Sequence, residues 1–436
     1  MMGLRAARGA TRGERGFWMA GLAGLFLVTA AGSGAAAQSI DEAMALAVEN
    51  HPAVKAQKYQ ADAADQDVGT ARSGYFPTLS IDGSVRSERT KQPYSERTMT
   101  PQDYSATLTQ PLFDGLATPA RVSVAKANAQ AEKFDTRSER NDVALDAAKA
   151  YLDVLEAREK LELMKGHEAH ARSIADRISK RVAVDSGLRS LTVVSHSETE
   201  QAQFLVLDAQ RELAIAETEY RELVGQNADA MVEPAEPVDI GTLNDEEAIE
   251  RAASRHPALA SAQSRARAFD AEKDVARSTF FPHLYAEAQA RNARNIDGVR
   301  GPDNDYYVGL RLTYNFSTGG GDFHTVNAAD YREQAAAMQI QDVARKIRVQ
   351  VLEALQNFRS NRSTHAVLVR RKLAAADLVR VYDAQFVGGQ RDLLDLFYVL
   401  NEQRVADVEE LKARFDTLRA AYGVMAAMGE LGGQTE

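Results

Sequence analysis

EAMALAVENHPAVKAQKYQADAADQDVGTARSGYFP (Glu42–Pro77) returns as EAIERAASRHPALASAQSRARAFDAEKDVARSTFFP (Glu247–Pro282), an ungapped offset of 205 residues at which 14 of 36 positions are identical. His51-Pro52-Ala53 matches His256-Pro257-Ala258, Ala71-Arg72-Ser73 matches Ala276-Arg277-Ser278, and Phe76-Pro77 matches Phe281-Pro282. Internal self-similarity of this kind means one structural unit written twice. Each copy opens with a helical segment, about 41–74 and 246–279, that runs to an aromatic-Pro pair. His51-Pro52 and His256-Pro257 read as matched helix breaks within these segments.

Outward from this segment the order of elements repeats. Leu79, Ile81, Gly83 and Val85 alternate with polar residues, and a polar loop with Pro93 and Pro101 follows. Tyr104, Ala106, Leu108 and Leu112 then alternate with Ser105, Thr107 and Thr109. In the second copy Leu284, Ala286, Ala288 and Ala290 precede a loop with Gly298, Gly301 and Pro302. The row Val308, Leu310, Leu312, Tyr314 and Phe316 follows it. Period two with one apolar face predicts strands, two per copy and four per chain. Long helical tracts start near Gly115 and near Gly319-Gly320-Gly321. Val143, Ala147, Ala150, Val154, Ala157, Leu161 and Met164 form a stripe of period 3.5, with Leu145, Ala148, Leu152 and Leu155 beside it. Leu393, Phe397, Leu400, Val408, Leu411, Phe415, Leu418, Tyr422 and Met425 form another, interrupted by Arg404. Such stripes predict coiled-coil packing, and two on one helix predict neighbours on two sides. Past Pro119 the first tract has no proline up to residue 183, about 100 Å of helix at about 1.5 Å per residue. Breaks at Ala183–Gly187 and Val387-Gly388-Gly389 fold each tract into a hairpin.

The domain boundaries follow. Arg5, Arg8, Arg12 and Arg15, an apolar run from Phe17 to Ala30, and Ala35-Ala36-Ala37 have the order of a secretory signal peptide, so 1–37 is expected to be removed. The first repeat spans 38–225, a linker 226–245, the second repeat 246–431 and a short tail 432–436. The formal charge is −10, and the signal segment carries four Arg and one Glu, which leaves the mature chain near −13. That balance argues against a general nucleic-acid binder. With no Cys, thiol catalysis, disulfides and lipid attachment at an N-terminal Cys are excluded.

Several tempting motifs do not carry chemistry. His167-Glu168-Ala169-His170 is one residue short of the zinc-protease spacing, and Gly319-Gly320-Gly321-Asp322 lacks the Lys-Ser/Thr of a phosphate loop. No catalytic constellation, cofactor site or metal site stands out, and an enzyme is not expected. The strands have membrane-spanning length, yet four cannot close a barrel and an open edge is not tolerated in lipid, so chains must associate if the strands span a membrane. Phe76, Phe113, Phe281 and Phe316 lie at the strand ends nearest the helices, where an aromatic girdle belongs; Tyr104, Tyr306 and Tyr307 lie at the loop end.

On these residues the chain resembles the TolC-like outer-membrane channel-tunnel (outer membrane efflux protein) family. The most specific elements are the tandem repeat, the aromatic-Pro pairs and the stretch Gly389-Gln390-Arg391-Asp392-Leu393-Leu394-Asp395-Leu396. The resemblance implies a mixed, mainly α fold: a homotrimer whose four strands per chain close a 12-stranded transmembrane β-barrel in the outer membrane of a Gram-negative bacterium. A long α-helical barrel would cross the periplasm and meet a periplasmic adaptor (membrane fusion) protein and an inner-membrane transporter. Gly389-Gln390-Arg391, Leu393-Leu394-Asp395 and Met425-Ala426-Ala427-Met428-Gly429 are most similar to members serving type I secretion with an ABC transporter. Multidrug efflux with a proton-driven pump is the alternative, and a soluble periplasmic coiled-coil scaffold is the alternative of another class. The resemblance places Asp395, Asp392 and Tyr398 at the periplasmic aperture, with Tyr398 where a second Asp is usual. It makes Arg391 the aperture latch. The usual acidic partner aligns with Val193, which leaves Asp185 or Asp392 for the role. Gly187-Leu188 and Gly388-Gly389 mark the hairpin tips that would receive the adaptor.

Overall fold

The computed structural model describes residues 38–92, 95–182, 189–237, 240–315 and 317–431. The expected signal segment 1–37, the tail 432–436, Asp185, Gly187, Leu188 and Phe316 lie outside them. In the first half, helices α1 (Ile40–Asn50) and α2 (Pro52–Ser73) lead to strands β1 (Thr78–Val85), β2 (Glu88–Gln92), β3 (Ser95–Met99) and β4 (Gln102–Phe113). Helices α3 (Ala117–Val182) and α4 (Arg189–Val224) follow. The second half runs through α5 (Asp245–Arg255), α6 (Pro257–Arg277), β5 (His283–Arg294), β6 (Pro302–Thr313), α7 (Gly321–Val387) and α8 (Leu393–Ala427). Among the described residues no helix is long and apolar enough to cross a membrane.

The two His-Pro breaks are built alike. A Ser39/Glu42 capping box starts α1, and an Asn244/Glu247 box starts α5. Each of these helices ends at a histidine whose Nδ1 caps the next one: His51 accepts from the Ala53 N–H at 3.3 Å and His256 from the Ala258 N–H at 3.2 Å. Proline at the first helical position gives up an N–H that has no intrahelical partner in any case. A cap of this kind needs an unprotonated Nδ1, and burial lowers the His256 pKa, which favours that form.

The main sheet has the order β1-β4-β5-β6, antiparallel throughout. Its register sets Leu79 opposite Leu108, Leu108 opposite Ala288 and Ala288 opposite Val308. The next row is Ile81, Ala106, Ala290 and Tyr306. Side chains alternate across a strand, so these rows make one continuous apolar face. Two expectations are corrected. The polar loop after β1 instead forms the β2–β3 ladder, which continues the β1–β4 register past a break at Pro101. That hairpin pairs Glu88, Arg89, Thr90 and Lys91 with residues 96–99 and has no apolar face to betray it. The described residues therefore form six strands, four of them in the main sheet. Second, Pro111 pairs with Tyr285 and Phe113 with Leu284, so a bulge skips Leu112 and puts Phe113 in the row predicted for Leu112.

The helical stripes pack as their spacing predicts. Val143, Ala147, Ala148, Tyr151, Leu152 and Val154 of α3 are buried with Leu411, Phe415, Leu418 and Tyr422 of α8, under α1. A second cluster joins Ile240, Leu259 and Ile347–Phe358 to Val424 and Met428. A third sits near the hairpin ends, with Ile174 and Ile178 against Leu393, Leu396, Phe397 and Leu400. Gly429 closes α8 at φ +76°, with His256 and Pro257 so near that a β-carbon would lie 2.7 Å from Pro257 Cδ. Gly115, at φ +67°, gives the strand-to-helix turn the same close approach to the Ser278 carbonyl.

Polar ties lock α3 to α8. Arg419 donates to Asp153 and Asp416, each at 2.8 Å, and to Glu156. Arg414 holds Glu159, and Asn141 Nδ2 donates to the Ala426 carbonyl at 3.0 Å. Burial raises the Glu156 pKa above the ordinary carboxylate value, and Arg419 pulls it back down. A carboxyl raised in the fold favours folding below its ordinary pKa and loses that contribution as pH rises through the raised value. Arg419→Gln is therefore expected to destabilise the protein by about 2–3 kcal/mol at neutral pH, as breaking a partly buried pair strands the other charge. Its deficit should be larger at about pH 8 than at about pH 5, because Glu156 escapes by protonation. Thermal unfolding followed by circular dichroism at both pH values checks this; equal deficits would refute the Arg419–Glu156 coupling.

Candidate functional site at the hairpin ends and the sheet

The α7–α8 turn is fixed by backbone chemistry. The Gly388 N–H donates to the Ala384 carbonyl at 3.1 Å, and Gly389 takes φ +74°, where a side chain is disfavoured. Asp392 caps α8, its Oδ1 accepting from the Leu393 N–H at 2.7 Å. Leu393, Leu396, Phe397 and Leu400 turn inward, so Leu394, Asp395 and Tyr398 share the exposed face, Tyr398 at 67% exposure. Asp395 and Tyr398 are thus neighbours one turn apart.

Arg391 is paired within its own hairpin, and Asp185, one of its two expected partners, lies outside the described residues. Arg391 pairs with Asp395 at 3.3 Å, donates to Gln385 Oε1 at 3.3 Å and lies over the Tyr382 ring at 4.7 Å. Asp392 is engaged as the helix cap, and its alignment for capping points it at the Leu393 N–H rather than at Arg391. An ion pair between the hairpins exists elsewhere: Arg177 of α3 donates to Asp383 of α7 at 2.8 Å. Sequence reading misses it because its partners are 206 positions apart and neither stands out from the polar face of a long helix.

Higher along the α3–α8 seam a cleft opens beside the apolar packing of Leu161 and Met164. Gly166, His167 and His170 of α3 face Leu400, Gln403, Arg404 and Asp407 of α8 around a cavity of about 550 Å³. Arg404, the residue that breaks the α8 stripe, donates to its own-helix Asn401 Oδ1 at 2.7 Å. Burial, reinforced by Arg404 and His170, lowers the His167 pKa to about 4. His167 is therefore neutral near pH 7. Among the described residues no group of His, Cys, Asp and Glu is placed to hold a metal ion.

The sheet has two unlike faces. Opposite the apolar rows stand Ser80, Asp82, Asp103, Thr107, Glu287, Gln289, Arg291, Asp305 and Arg311. Arg291 pairs with Asp103 at 2.7 Å across β4 and β5, and Arg311 with Glu287 at 2.5 Å across β5 and β6. The apolar face is bare: Ile81 is 78% and Val308 86% exposed. Phe113 and Phe281 meet edge to face at 6.5 Å at the helix end of the sheet, with Phe76 exposed nearby in sequence to β1. Tyr104, in the row of Gly83, and Tyr306 lie toward the other end. Tyr307 pairs with Gln289 and belongs to the polar face.

Comparison with known proteins agrees with this geometry. The family model described as "Outer membrane efflux protein" matches twice, at residues 43–226 and 248–430. The chain is 23% identical to the outer membrane efflux protein BepC of Brucella suis over 403 residues, covering 92% of this chain and 87% of that protein. It is 23% identical to the proteases secretion protein PrtF of Dickeya chrysanthemi, covering 94% and 92%. Among solved structures, the CmeC outer membrane channel of Campylobacter jejuni superposes with a TM-score of 0.76 at 14% identity, over 90% of this chain and 85% of that one. The duplicated helix–strand–helix order, the two-faced sheet and the double match lead to one conclusion: the chain belongs to the outer membrane efflux protein family, a channel of the outer membrane with its helical tunnel in the periplasm.

Proposed function

We propose that three copies of this chain form an export duct for type I secretion. The observation that carries the assembly is the sheet. Its four strands bury neither face within the chain, and the edges at β1 and β6 are unpaired among the described residues. Lipid tolerates no open edge, so β6 of one copy pairs with β1 of the next until the sheet closes. Three copies give a 12-stranded barrel with its apolar face in lipid and its charged face on water. The exposed Phe204 and Leu207 of α4, and Leu373 and Val381 of α7, are the helical faces that a neighbouring copy covers.

The Gly-Gln-Arg and Leu-Leu-Asp run at the α7–α8 turn favours type I secretion, as does the similarity to a protein named for protease secretion. In this reading an inner-membrane ABC transporter supplies the energy. A periplasmic adaptor meets the turn at Gly388-Gly389 and the sequence Gly187-Leu188, and the duct performs no catalysis. Similarity to a protein named for efflux keeps a drug-efflux role as the second reading. Deleting the gene separates the two: loss of a large protein from the culture medium with unchanged drug susceptibility supports secretion, and the reverse supports efflux.

The chain has no cysteine, which makes crosslinking clean. Cysteine pairs scanned along β1 and β6 are expected to link chains into covalent trimers on denaturing gels, since these strands are opposite edges of one sheet. Only monomers at every register would refute barrel closure. At the aperture, Asp395 supplies negative charge that Arg391 partly offsets. Arg391→Gln should strengthen cation preference and divalent block in planar bilayers. Asp395→Asn should weaken block by about five-fold, the effect of roughly 1 kcal/mol for one charge contact in water. Unchanged block in both variants would remove these residues from the mouth.

A further inference from the structure

Gln38 follows the expected cleavage point and is held more firmly than a chain end needs. Its N–H donates to the Ala230 carbonyl at 2.7 Å, and it forms a parallel bridge with Met231. Its carbonyl lies 2.7 Å from the Tyr151 hydroxyl and accepts from the Val232 N–H at 3.4 Å. The same hydroxyl accepts from the Val232 N–H at 2.8 Å, and Tyr151 is fully buried. Ser39, next in the chain, caps α1. Every backbone group of Gln38 thus has a partner, but its side-chain Nε2 is buried with none. Buried polar groups are normally satisfied, and Nε2 is one of the few buried side-chain atoms left without a partner, the Tyr220 hydroxyl beside Tyr151 being another.

We propose that Gln38 is carried in the mature protein as pyroglutamate. The proposal rests on removal of residues 1–37. Cleavage after Ala37 frees the Gln38 α-amine, which attacks the Cδ of its own side-chain amide. The N–Cδ bond forms and the Cδ–Nε2 bond breaks. The departing nitrogen takes a proton from the amine and leaves as ammonia, so no oxidant, reductant or second substrate is needed. The five-membered lactam keeps one N–H, against the three of a free ammonium, on the nitrogen that lies 2.7 Å from the Ala230 carbonyl. The Gln38 carbonyl is untouched and still meets Tyr151 and Val232. What departs is the unpartnered Nε2, together with the positive charge that a free terminus would bring beside a buried tyrosine. Because the docked nitrogen points its hydrogen at Ala230, cyclisation precedes docking, while the exported chain is still open.

The geometry also gives the modification a place in the architecture. The Gln38–Met231 bridge and Tyr151 join the start of the first half to the segment that leads into the second, over the α3 core. A closed ring here is a chain end without a charged amine to pull it back into water.

The test is mass spectrometry of the tryptic peptide 38–55 from protein purified from the outer membrane, with Edman degradation beside it. The expected peptide is lighter by one ammonia than the open form, blocked to Edman degradation and unblocked by pyroglutamyl aminopeptidase after unfolding. A free α-amine on most of the Gln38 peptide overturns the proposal. A chain that starts at another residue overturns it too, and traces the failure to the cleavage reading. Gln38→Asn keeps an amide but is too short to close the stable ring; its terminus should be readable by Edman degradation. A blocked terminus in the Gln38→Asn variant would mean another blocking group, and would also overturn the ring.

Discussion

Unpaired backbone at the two ends of a four-stranded sheet is the constraint on which the rest depends. Among the described residues, β1 and β6 each present a row of N–H and C=O groups with no strand beside it, and the sheet leaves its apolar face uncovered. In water such an edge invites aggregation, and in lipid it is forbidden. The helices answer a different demand. Each strand pair feeds a hairpin of helices through a glycine-bearing turn, at Gly115 and at Gly320, and both glycines have positive φ. The first strand pair is therefore joined to its helix by a tight bend at Gly115, and the aromatic pair Phe113–Phe281 packs beside it.

The α3–α8 seam shows how polar and apolar ties share one interface. Midway along α3, Arg419, Arg414 and Asn141 bind acids and a carbonyl on the margin of a continuous apolar cluster. Near the hairpin ends a second cluster, Ile174 and Ile178 against Leu393 and Leu396, is linked across hairpins by Arg177–Asp383. Between them Gly166 provides no side chain and Arg404 provides a charge, and the helices leave an open cleft of about 550 Å³ lined by both charged and apolar side chains. A void in a packed seam forfeits dispersion contacts on both walls. Leu161 and Met164, packed with Val206, Ala209 and Val408 beside the cleft, carry the apolar packing from one section to the other.

Much of this is legible in the order of residues alone. The offset of 205 residues locates both halves, His51-Pro52 and His256-Pro257 locate the breaks, and the 3.5-residue stripes name most of the α3 and α8 side chains in the first buried cluster. Local pattern succeeds where one face of an element meets a uniform environment. It fails where that condition lapses. The β2–β3 ladder is polar on both faces, so alternation carries no signal there. Leu112 falls out of its expected row because a bulge at Pro111 shifts the phase by one residue. Asp395, Tyr398 and Asp392 do gather as a group beside the turn, but the partner of Arg391 depends on side-chain reach and on Asp392 being taken by the helix cap. Arg177–Asp383 is invisible to pattern, since nothing local joins residues on different hairpins.

The composition is reconciled with the location by counting surfaces rather than residues. A mean hydropathy of −0.36 and a charge of −10 describe a chain that mostly meets water. In the barrel proposed above only one face of four strands per chain meets lipid, and those strands alternate, so half of their residues are polar as well. The apolar stripes of the helices serve packing between helices, and their other faces carry the ion pairs that set the average. A hydropathy average cannot register a surface that is apolar at every second residue over so short a length. The register of the sheet does register it, because it sums the alternation of four strands into one continuous face.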